Sequence, residues 1–164
     1  MDRPAARLLA LPLLFSLAQP LALAAAPAAA APPAAVETDD EALRAIRQAV
    51  QARDPHALIA RVGGAGVEDG EKLVSPGWVK KYLVKPESPL ARWIFGPSAP
   101  PAGKPAPWSM AACLAGEVTL RRSGADQAEV RCRQGGRETT FGLTRHQGRW
   151  AITQNFFWPT DVAR

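Results

Sequence analysis

The chain has 164 residues, of which 47% are hydrophobic, with 20 Lys and Arg against 15 Asp and Glu for a formal charge of +5. That length holds one domain. The charge is too mild to require nucleic acid, and no later segment is long and apolar enough to span a bilayer.

Arg3 and Arg7 precede an apolar run from Leu8 to Leu23, and Ala22-Leu23-Ala24 then matches an A-x-A cleavage pattern. This is the grammar of a secretory signal peptide over residues 1–24, cut after Ala24 or Ala26. The run is short of the ~20 residues that cross a membrane and is broken by Pro12 and Pro20. The membrane is therefore expected to be met only through the cleaved leader. Without the leader the formal charge falls from +5 to +4, because Asp2, Arg3 and Arg7 leave with it. The expected location is the periplasm or the external medium. Residues 25–37, almost wholly Ala and Pro as far as Ala35, are expected to be a disordered linker.

Structure is expected over 38–158, followed by a short tail, 159–164. Thr38 and Glu41 have capping-box spacing, and Leu43, Ile46, Ala49 and Val50 follow at helical period, predicting a helix to about Arg53. Asp54-Pro55, Ser75-Pro76 and Ser88-Pro89 each set a capping oxygen before a proline suited to the first helical turn. They predict helices over 55–62, from Pro76 to about Lys85, and over 89–95, with Gly63 and Gly96 as stops. Gly63 to Gly66 reads as a flexible loop and Lys72-Leu73-Val74 as one short strand. Five prolines between Pro97 and Pro107 mark a surface connection.

Beyond it the period becomes alternating. Turns at Ser123 to Asp126, Gln134 to Gly136 and His146 to Gly148 separate runs centred on Val118, Val130, Phe141 and Ile152. The fold class is α+β: N-terminal helices packed on a four-stranded antiparallel meander.

The two cysteines, Cys113 and Cys132, are expected to pair in an oxidising compartment, the alternative being two buried thiols. If the first hairpin turns near Gly124, Cys132 lies opposite Val118. The bond then clips the Trp108 to Leu114 segment onto the sheet. Neither His56 nor His146 has a cysteine or acid at ligand spacing, so no metal or other cofactor is expected and no catalytic residue is assigned.

The helix, helix, strand, helix, meander order, closing on Gly148-Arg149-Trp150-Ala151-Ile152, resembles the nuclear-transport-factor-like superfamily of cone-shaped α+β domains. A cystatin-like sheet wrapped on a helix fits the same order. The resemblance implies a curved sheet and helices enclosing a pocket. It leaves activity open, because such folds host isomerases, dehydratases, inhibitors and interaction modules.

Two surfaces are candidates for ligand or partner binding. Trp78, Tyr82, Trp93 and Trp150 are the aromatics expected to line a concavity, and alternation after Trp150 turns Phe157 outward as an anchor. Arg131 and Arg133 fall on the sheet face opposite Val130 and Cys132, where they would meet carboxylates or phosphates. The function expected is a non-enzymatic exported binding domain, of inhibitor or immunity type. It would hold an envelope protein or a small ligand, with a homodimer through the sheet as a further partner state. The alternatives are a small pocket enzyme of isomerase, dehydratase or hydrolase type and a scaffold component of an envelope secretion assembly.

Overall fold

The computed structural model describes residues 35–99, 102–103 and 106–157. The leader, the linker as far as Ala34, Trp158 and the tail lie outside the described residues.

Each helix starts where a side chain accepts from a free N–H of the first turn. Helix α1 (Asp39–Gln51) has a complete capping box between Thr38 and Glu41. Helices α2 (Pro55–Ile59), α3 (Pro76–Leu83) and α4 (Pro89–Phe95) are capped by Asp54, Ser75 and Ser88, each with proline at the start. A further helix, α5 (Met110–Ala115), is capped by Ser109. Helix α4 ends at Gly96, whose φ of 74° is open to glycine. There Arg53 donates to Phe95 O and Gly96 O, both at 2.9 Å, where the helix dipole favours a cation.

The sheet is larger than the meander expected. Strands β1 (Val67–Asp69), β2 (Lys72–Val74), β3 (Glu117–Arg122), β4 (Gln127–Gln134), β5 (Arg137–His146) and β6 (Arg149–Gln154) form one six-stranded sheet in the order β2-β1-β6-β5-β4-β3. The four-stranded antiparallel sheet is therefore corrected to a mixed, six-stranded one. Strands β3 to β6 form the expected antiparallel ladder, but β1 pairs parallel with β6 at Glu68 and Gln154. Val62 makes a second parallel bridge to Ile152, with Ile152 N–H donating to Arg61 O at 2.7 Å. The free edge of β6 is thus covered by the stretch read from sequence as the end of a helix and a loop. Helix α2 ends at Ile59, a turn carries the chain on, with Val62 N–H donating to Ile59 O at 3.0 Å, and Val62 then bridges to β6.

One sheet face carries the core. Val130 and Cys132 of β4, Phe141 and Leu143 of β5, and Trp150 and Ile152 of β6 are all at most 2% exposed. Ala42, Ile46 and Val50 of α1, with Leu90 and Ile94 of α4, are equally buried and join them in one cluster. The bond between Cys113 and Cys132 closes with a Cα separation of 5.4 Å, holding α5 on β4. Val118 is the register partner of Cys132, as the hairpin argument requires.

Phe157 corrects the alternation argument. Strand β6 ends at Gln154, and Asn155 takes φ 52°, so the two-residue period is lost before Phe156. Phe156 and Phe157 are both fully buried, their rings 5.2 Å apart, and Trp93 Nε1 donates to Phe156 O at 3.1 Å.

Candidate functional site

The sequence-derived aromatics separate into two groups. Trp150, Trp93 and Phe157 are buried in the core and form no shared aromatic surface. Trp78 and Tyr82 are half-buried on α3 with ring centroids 4.6 Å apart, and Lys81 lies 5.4 Å from the Tyr82 ring. The interior where a concavity was expected is occupied by the largest buried side chains of the protein, among them Trp150, Phe141 and Phe156.

The outer sheet face holds Arg131 and Arg133, both exposed. Register shows what surrounds them. Arg133 stands between Glu117 of β3 and Glu138 of β5, and Glu129 stands beside Arg121. Arg131 pairs with Glu138 at 3.4 Å and with Glu129 at 3.7 Å. The face is a checkerboard of both signs rather than a field of arginine, and each exposed pair of this kind is worth under ~1 kcal/mol.

A cleft of about 630 Å3 opens where the glycine loop passes the β5–β6 hairpin. Its lining is mostly apolar or backbone: Ala60, Val62, Gly63 to Gly66, Ala151 and Thr153, with His146 and Arg149 beside them. None of Trp78, Tyr82, Trp93 and Phe157 borders it, whereas Trp150 does. The loop is held by its backbone. Gly63 N–H donates to Ile152 O at 3.0 Å, and Gly66 N–H to Gly63 O at 2.9 Å. Gly66 has φ 107°, and a Cβ there would stand 2.5 Å from Val74 O, so only glycine fits. Beyond Gly64 there is open space on the Cβ side. A cleft of this size with an apolar wall and few polar groups suits a small ligand. His146 and Arg149 are direct register partners, and Arg149 makes no ion pair among the described residues. The loop was legible as glycine-rich. Its seating on β6 was not, because the parallel bridge joins residues far apart in the chain.

Two acidic regions flank β6. At its start, Glu37 Oε1 accepts from Arg61 at 2.5 Å and Glu37 Oε2 from the Trp150 backbone N–H at 2.8 Å. Asp39 accepts from Arg122 through both oxygens, at 2.6 and 2.7 Å, and from Trp150 Nε1 at 3.1 Å. The Arg122 hydrogen bonds foremost, with the charges of Arg122 and Arg145, hold the Asp39 carboxyl below the usual range despite some desolvation. At the other end, Asp69 is 9% exposed, its Oδ2 is buried without a hydrogen-bond partner among the described residues, and burial pushes its pKa up to about 6. Asp69 was not singled out from sequence. The signal was its even step from Val67, which puts both side chains on the covered face of β1.

Among the described residues no group of three or more His, Cys, Asp or Glu is placed to hold a metal ion, and no helix is long and apolar enough to cross a membrane. In comparison with known proteins, the chain matches no family model, no curated protein and no solved structure.

Proposed function

We propose that this chain is an exported binding domain whose ligand seat is the cleft between the glycine loop and the β5–β6 hairpin. The ligand class that fits is a small molecule with an apolar body and one anionic group. The observation that carries this reading is the cleft itself: about 630 Å3, walled by Val62, Ala151 and loop backbone, with Arg149 at its side and in no ion pair among the described residues. The apolar wall supplies the area-proportional part of affinity, and the guanidinium selects the charged end. The checkerboard of the outer face weakens the alternative seat at Arg131 and Arg133, where Glu129 and Glu138 pair with Arg131 and Arg133 has glutamates as both register neighbours. Export and a periplasmic or extracellular setting rest on the leader grammar, and the disulfide is in keeping with an oxidising compartment. The order of helices and meander supports the nuclear-transport-factor-like resemblance, with the β1–β2 hairpin added alongside β6.

The test uses decanoate and decanol as probes, followed by amide NMR shifts. Decanoate should move Gly63 to Gly66 and Thr153 in a saturable way, and Arg149→Ala should weaken decanoate more than decanol. Ala151→Trp, which fills the cleft from the solvent side of β6, should abolish both. Absence of saturable shifts at millimolar probe would sink the reading.

A small pocket enzyme is the second reading, and Asp69 is what favours it. A buried carboxyl with a pKa near 6 is suited to moving protons. That reading requires a substrate path to Asp69, which does not border the cleft. Substrate-like acids that shift the Asp69 carboxyl resonance would support it over the binding reading.

A further inference from the structure

Strand order leaves β3 at one edge of the sheet. On its far side it pairs with no strand among the described residues. Its covered-face residues show the consequence: Val118 and Leu120 are only half-buried, while their register partners Cys132 and Val130 are fully buried.

The backbone of β3 has a definite polarity. Ser123 N–H donates to Gln127 O at 3.0 Å, so Ser123 faces β4. Residues in step with it, Arg121, Thr119 and Glu117, also turn their N–H and C=O toward β4. Val118, Leu120 and Arg122 turn theirs to the open edge. Such an edge is a template for another strand unless its charges forbid pairing.

Here the charges invite one particular strand. Glu117, Thr119 and Arg121 share the outer face, and neither Glu117 nor Arg121 makes an ion pair among the described residues. We propose that β3 pairs antiparallel with β3 of a second copy about a two-fold axis at Thr119, joining two sheets into one. In this register Val118 and Leu120 of one copy exchange backbone hydrogen bonds with Leu120 and Val118 of the other. Their side chains meet on the covered face. Glu117 of each copy stands opposite Arg121 of the other, in the pair type whose side chains lie closest.

The same register continues the checkerboard across the seam. Within one copy Arg133 adjoins Glu117 and Glu129 adjoins Arg121. Across the axis the row reads Arg133, Glu117, then Arg121 and Glu129 of the second copy, so signs alternate throughout. Sliding one residue sets outer-face residues against covered-face ones. Sliding two pairs Thr119 with Glu117 or with Arg121 and forms no ion pair between them, and sliding four puts Glu117 opposite Glu117 or Arg121 opposite Arg121, which is repulsive. A foreign strand of a single charge sign meets a like charge at one of these positions, and only a strand with this spacing satisfies both. A two-fold interface is self-complementary by construction.

A six-residue edge is small beside a standard interface, so the dimer is weak, with a Kd of roughly 10–100 µM. Sedimentation velocity of the purified chain from about 5 to 500 µM should show a monomer–dimer shift. Arg121→Glu and Glu117→Arg should each raise Kd about tenfold or more, and the double exchange should restore it to within about threefold. Val118 and Leu120 amides should exchange more slowly with solvent as concentration rises. Circular dichroism melts confirm that the variants are folded. A monomer throughout the range, single variants without effect, or a double exchange that restores nothing would each overturn the proposal. The cleft sits at the β5–β6 hairpin, so failure of this dimer leaves the ligand reading intact, and decanoate binding tests that separately.

Discussion

The two ends of β6 hold acidic groups under opposite conditions. At the Trp150 end, Glu37 and Asp39 are saturated by Arg61, Arg122, Arg145 and the Trp150 N–H groups. At the Gln154 end, Asp69 is buried with one oxygen unanswered among the described residues. The first cluster fastens the start of α1 across the β5–β6 hairpin. The second places a carboxyl where its charge is costly. A buried acid stabilises a fold only when donors come with it.

The sharpest break of that contrast is Glu37→Ala. It leaves Arg61, whose side chain is 12% exposed, without its carboxylate and the Trp150 N–H without an acceptor. A loss of about 3 kcal/mol is expected in urea unfolding. An effect near zero would mean that water replaces Glu37 freely.

Asp39→Asn is the intermediate case. Arg122 is half exposed, so solvent screens part of the pair, and the expected loss at pH 7 is about 2 kcal/mol. The Asp39 pKa is lowered in the fold from 3.8, so its stabilisation is present above that value and is lost as pH falls through the folded pKa. The melting difference between wild type and variant should therefore close in acid.

Asp69→Asn carries the opposite sign and the smallest effect, a gain of about 1 kcal/mol at pH 7.5. The folded pKa of about 6 lies above the ordinary carboxyl value of 3.8, so the native state binds the proton more tightly. The contribution of Asp69 is full below 3.8 and is lost as pH rises through about 6. Wild-type melting temperature should carry a falling component across that window, and the variant should lack it. Equal pH profiles for the two proteins would place water or a donor on Asp69 Oδ2.

The candidate seat was less legible than the frame around it. Gly63 to Gly66 announced a loop, but not that Gly63 N–H would reach Ile152 O. Arg131 and Arg133 were correctly set on the outer face by alternation. The pairing of Arg131 with Glu138 depended on β4–β5 register, which the turn at Gly135 and Gly136 fixes. Helix α5 is not among the helices expected from sequence, although Ser109 ahead of Met-Ala-Ala-Cys-Leu-Ala carries a legible cap.

Sequence alone determined the starts of α1 to α4, the alternating ladder of β3 to β6, and the place of Cys132 opposite Val118 across a measurable hairpin. These depend on hydrogen bonds and side-chain periods within a few residues, or on counting back from one tight turn. Tertiary structure decided the rest. Only the assembled fold could bring Val62 and Glu68 alongside β6, because a parallel pairing has no local turn to signal it. Only the left-handed twist at Asn155 could end alternation and bury Phe157 beside Phe156. The cleft exists where those two long-range outcomes leave space, which is why its lining comes from segments some 90 residues apart, from Val62 to Thr153.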